Sequence, residues 1–67
     1  MLLTMTHTVE IRTRLAGSDQ GFTSWLAVGP LDEVSALELA GEVARAMRHL
    51  YPHREFALFH AGERLEK

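Results

Sequence analysis

Cysteine is absent from this 67-residue chain, so no disulfide supplements a core that, at such a length, buries only about 60% of the unfolded surface. Small domains lean on disulfides, metal or association. With the first excluded, self-association becomes the leading expectation. Charge of either sign is nearly balanced: the formal net charge is −2, where a nucleic-acid binder carries a basic surplus that releases counterions. A nucleic-acid partner is therefore disfavoured. Long apolar runs are missing as well, which leaves no candidate membrane span. The opening residues Met1-Leu2-Leu3-Thr4-Met5 have neither the basic start nor the apolar stretch of an export signal, and the expected compartment is the cytoplasm.

Motifs with a chemistry attached are equally scarce. Ser18, Ser24 and Ser35 have no G-x-S-x-G context, and there is no glycine-rich phosphate loop or zinc-ligand spacing. The four histidines, His7, His49, His53 and His60, invite a metal reading, but no cysteine or nearby carboxylate completes a ligand set. His49 and His53 have helical spacing, yet Pro52 stands between them. Glu38 and Glu42 share the polar half of a helix, where solvated charge is the ordinary explanation. No cofactor, no metal and no catalytic residue is expected, and a chain this short encloses a ligand pocket only with difficulty.

What is present is an ordinary globular composition, 46% apolar and 24% charged. The organising stretch runs from Leu31 to Tyr51. At about 100° per residue, Ala36, Leu37, Leu39, Ala40, Val43, Ala44, Ala46, Met47, Leu50 and Tyr51 fall on one half of a helical wheel. Ser35, Glu38, Glu42, Arg45, Arg48 and His49 occupy the other. So broad an apolar half suits a helix lying across a sheet better than a narrow coiled-coil seam. Gly29-Pro30 should break what precedes, Asp32 is the candidate N-cap and Glu33 complements the helix dipole. Arg45, Arg48 and His49 lie near the far end, and Pro52 stops the helix. Glu42 and Arg45 form an i,i+3 pair worth a few tenths of a kcal/mol.

Before the helix, Thr6 to Leu15 alternates, with Val9, Ile11 and Leu15 on one face and Thr8, Glu10, Arg12 and Arg14 on the other. Gly17-Ser18-Asp19-Gln20-Gly21 then reads as a turn. Phe22 to Val28 returns in a register that sets Leu15 against Phe22, Ile11 against Leu26 and Val9 against Val28, and Arg12 beside Trp25 on the opposite face. After the helix, Glu55 to His60 is a third strand with both faces partly covered. Ala61-Gly62-Glu63 turns the chain, and Arg64 to Lys67 either pair briefly or fray, as do residues 1–5. The fold expected is α+β: a small antiparallel sheet of order 2-1-3, built β-β-α-β with a short fourth strand, and one long helix on one face. Gly41, at the edge of the apolar half, either admits a close neighbour or is a tolerated surface glycine.

In that arrangement the face away from the helix carries Glu10, Arg12 and Arg14, flanked by Trp25 and Phe59. Tryptophan and arginine are frequent among binding hot spots. This points to a non-catalytic protein-interaction module acting through the open face or a strand edge as a homodimer, with Trp25, Arg12, Arg14, Glu10 and Phe59 as binding residues. The bland account of the same residues is an Arg12 to Trp25 stack worth about 0.5–1 kcal/mol. Two rivals stand beside it. One is a small inhibitor or adaptor, of the kind mobile elements encode, that blocks a larger protein; the other is a ligand-binding or catalytic site formed between subunits, with His60, Arg12 or Glu10 converging in a cleft.

Overall fold

The computed structural model describes residues 6–65. Four strands and one helix follow in the order β1 (His7–Leu15), β2 (Thr23–Leu31), α1 (Glu33–Leu50), β3 (Arg54–His60) and β4 (Glu63–Arg64). The strands form one antiparallel sheet of order β2-β1-β3-β4. The expected α+β fold, with β3 beside β1 and a short fourth strand, is what forms. Of the ends expected to pair briefly or fray, residues 1–5 and 66–67 lie outside the described residues, while Arg64 pairs with Phe59 in β4 and the Leu65 N–H bonds the Leu58 carbonyl.

β1 is central because its alternation is complete: Val9, Ile11 and Thr13 are buried and point toward α1, while Glu10, Arg12 and Arg14 point away. β3 sets Phe56 opposite Thr13 and Leu58 opposite Ile11, so both join the helix-facing side. Thr13, a buried polar side chain, donates its hydroxyl to the Glu55 carbonyl at 2.9 Å and accepts from Arg54 Nε at 3.1 Å. Its burial therefore leaves no polar atom unpaired.

The helix starts at Asp32, whose carboxylate accepts from the Ser35 backbone N–H at 3.0 Å, as its N-cap position predicts. It stops where the Tyr51 N–H bonds the Met47 carbonyl at 2.8 Å, just before Pro52. The surface it buries is narrower than the apolar half of its wheel. Ala36, Ala40 and Ala44, one turn apart, are 0% exposed against Val9, Ile11, Val28 and Phe56. Val43 and Met47 are half-buried, and Leu37, Leu39, Leu50 and Tyr51 are exposed. Methyl side chains let the helix backbone lie close to the sheet, and the larger residues are left at its margins.

β2 departs most from expectation. Gly29-Pro30 does not end it; the strand runs through to Leu31, and the peptide before Pro30 is cis. The register holds at Val9–Val28, Glu10–Ala27 and Ile11–Leu26, then shifts so that Arg12 faces Ser24 and Thr13 faces Thr23. Trp25 is the extra residue of a β-bulge. A second irregularity, between His7 and Val9, takes up Gly29 and Pro30. Gly29 has φ +125°, and a Cβ there would stand 2.5 Å from the His7 carbonyl oxygen, which requires glycine.

Candidate interaction surfaces

The bulge exchanges two aromatic residues between the faces of the sheet. Trp25, expected on the open face beside Arg12, instead lies on the helix side, edge-on to Phe56 with centroids 5.7 Å apart; Tyr51 is 6.5 Å from the same ring. Phe22, expected opposite Leu15 under the helix, comes to the open face, 5.9 Å from Phe59. The physical reason is the extra residue, which reverses the alternation of β2 from Trp25 back to the turn. Its trace in the sequence is the adjacent apolar pair Trp25-Leu26, a doublet that regular alternation does not produce.

Of the five anticipated binding residues, Glu10, Arg12, Arg14 and Phe59 are together on the open face and Trp25 is not. The layer they form is closed on itself. Arg12 pairs with Glu10 at 2.6 Å and stacks 4.3 Å above the ring of Phe59, not that of Trp25 as expected. Ser24 donates its hydroxyl to Glu10 at 2.8 Å. Arg14 bonds Glu55 at 2.9 Å and lies 4.3 Å from the Phe22 ring, with Arg64 5.1 Å from that ring. The Ser24 hydroxyl, then the Arg12 guanidinium, hold the Glu10 carboxyl below its ordinary range, and Arg14 does the same for Glu55. These are carboxylates kept ionised, not acids tuned to release a proton near neutrality. The expected Glu42–Arg45 pair is not among the ion pairs of the described residues.

Both sheet edges discourage strand addition. β2 carries two irregularities and Pro30, which has no N–H to offer. On β3, β4 pairs with Phe59 and His60, the Leu65 N–H reaches the Leu58 carbonyl at 2.8 Å, and Arg48 donates to the Phe56 carbonyl at 2.9 Å. A groove of about 590 Å³ between α1 and β3–β4 is lined by Leu37, Gly41, Arg45, Leu58 and Leu65 among others. Its other arginines are engaged, Arg48 on Phe56 and Arg64 on Phe22.

His7 and His60 meet on the helix side, sharing a hydrogen bond of 3.1 Å. His60 is thus on the opposite face from Glu10 and Arg12, and the three do not converge. No three potential metal ligands gather among the described residues. No helix among them is long and apolar enough to cross a membrane.

The remaining surface is the side of α1 that looks toward β2. Because Leu37, Gly41 and Arg48 border the β3–β4 groove, helical spacing turns Leu39, Val43, Ala46 and Leu50 to the opposite flank. Leu39 is 46% and Leu50 63% exposed there, and Trp25 and Leu26 of β2 are 44% and 41% exposed. A shallow depression over Ala46 is bounded by Glu42, Arg45, His49 and Leu50.

These features define a small α+β domain with one helix-covered face, one face sealed by its own charged and aromatic side chains, and an apolar flank between helix and edge strand. Compared with known proteins, the chain matches no family model, no curated protein and no solved structure.

Proposed function

We propose that this chain is a non-catalytic protein-interaction module that works as a homodimer, docking through the apolar flank of α1 and β2. The observation that carries this reading is the set of half-exposed side chains Trp25, Leu26, Leu39 and Leu50 beside a helix whose buried stripe is only alanine. At about 25 cal/mol per Å² of apolar surface removed from water, covering such residues is a driving force that the folded monomer leaves unused. The open face is a poorer docking surface, since its ions and rings are already one another's partners. Glu10 and Glu55, held as ion-paired carboxylates, support a non-catalytic role. Size-exclusion chromatography with light scattering tests it: the expected mass is twice the 7.5 kDa of one chain, falling on dilution. A strict monomer up to the solubility limit overturns the homodimer.

A further inference from the structure

The geometry points to a specific partner and pose for that flank: a second copy of this chain, docked helix to helix in antiparallel orientation. This inference rests on the homodimer reading and adds which residues meet. Leu39, Val43, Ala46 and Leu50 recur at spacings of four, three and four residues, the repeat of a coiled-coil seam. Leu39, Ala46 and Leu50 stand clear of the alanine stripe that holds α1 to its own sheet, while Val43 is half-buried at the border between stripe and seam.

The seam is symmetric about a point between Ala44 and Arg45. An antiparallel second copy therefore sets Leu39 against Leu50 and Val43 against Ala46, and the two-fold axis repeats both contacts. The depression over Ala46 runs along the outer border of the seam, between Leu50 and the charged rim of Glu42, Arg45 and His49. Charge selects the direction. Beside the seam, on the rim of the depression over Ala46, Glu42 precedes the midpoint and Arg45 and His49 follow it. Antiparallel docking brings Glu42 to the Arg45 and His49 side of the second copy, whereas parallel docking sets Glu42 against Glu42. A stable interface draws on the order of 800 Å² from each partner, so the contact extends from the seam onto Trp25 and Leu26 of the adjoining strand.

The lack of cysteine makes the pose directly testable. Leu39→Cys and Leu50→Cys are prepared separately, one isotopically labelled so that the products differ in mass, then mixed under mild oxidation. Both positions are exposed in the single chain, so the fold tolerates the change. The expected product is the mixed disulfide, several-fold in excess of either self-paired form. In parallel, Ala46→Glu places a charge in the seam without entering the core, and should weaken association at least about tenfold, the equivalent of 1.4 kcal/mol, at an unchanged thermal midpoint under monomeric conditions. If the wild type is dimeric but self-paired disulfides dominate, or Ala46→Glu associates as before, the antiparallel seam is wrong and the homodimer survives. If the wild type is monomeric throughout, the homodimer reading fails and the pose with it.

Discussion

On the helix side of the sheet Val9, Ile11, Val28 and Phe56 are buried beneath an alanine stripe, whereas on the open side Glu10, Arg12, Arg14 and Glu55 lie among Phe22 and Phe59 with much of their surface in water. The first side excludes water by close approach, the second by laying long polar side chains flat over rings. Each solution has a consequence at its margins. Alanine lets the helix come close but contributes little area, so the leucines beside it stay uncovered. The arginine and phenylalanine layer uses its own hot-spot residues internally, and little remains there for a partner.

The largest expected effect separates these two kinds of burial. Ile11→Ala removes a fully buried side chain from the helix side and should cost about 2–5 kcal/mol in denaturant unfolding. Phe59→Ala, half-exposed under Arg12, should cost about 1–2 kcal/mol, part of it the lost cation–π contact. Equal losses would show that the open face is a second core and erase the contrast.

Next comes the bulge, which decides what belongs to each side. Trp25 is the chain's one tryptophan, so its fluorescence reports its neighbours directly. Phe56→Leu should shift that emission, and Arg12→Ala should leave it unchanged. Trp25→Ala should cost roughly 1–2 kcal/mol, less than a fully buried ring because Trp25 is 44% exposed. An emission that follows Arg12 rather than Phe56 would return Trp25 to the open face.

Those details mark the limit of what the sequence discloses. The period-two pattern of β1, the helical period of α1, the Asp32 cap and the Pro52 stop each rest on local chemistry, and each is legible from neighbouring residues alone. The apolar run of β3 does not alternate, and it is the Glu10–Phe59 register that fixes the face of Phe59, whereas Glu10, Arg12 and Arg14 were assignable to one face because β1 alternates. The exchange of Phe22 and Trp25 was not, because a bulge of this kind has no required residue and is settled by packing across three strands. Nor does the wheel reveal which part of an apolar half reaches the sheet. That depends on how near the backbone can come, and in α1 the alanines decide it.

A smaller effect probes the open space beside Gly41 on the helix side. A Cβ added at Gly41 meets nothing within 4 Å, so the glycine does not serve a close approach to the sheet. Gly41→Ala should raise stability by about 0.5–1 kcal/mol through reduced freedom of the unfolded chain and better helix propensity. It should leave association unaltered, because Gly41 borders the β3–β4 groove and not the seam. A loss of stability would mean that something fills this groove.

The smallest effect belongs to the open face and is read by pH. Glu10 and Glu55 have carboxyls depressed in the folded state, chiefly by Ser24 and Arg12 in one case and Arg14 in the other. A depressed folded value means that the unfolded chain binds the proton more readily. The stabilisation is therefore complete above the ordinary glutamate value of 4.5 and is lost as pH falls below it, through the lower folded value. Both pairs are solvent-exposed and screened, so the loss should be modest and should shrink further at high salt. The double variant Glu10→Gln, Glu55→Gln should be less stable than wild type near neutrality and converge with it in acid, retaining the residual slope of Asp32, which the Ser35 N–H also depresses. Parallel curves for the two proteins at every pH would show that these ion pairs lie over the rings without binding one another, and that the open face is held by its phenylalanines alone.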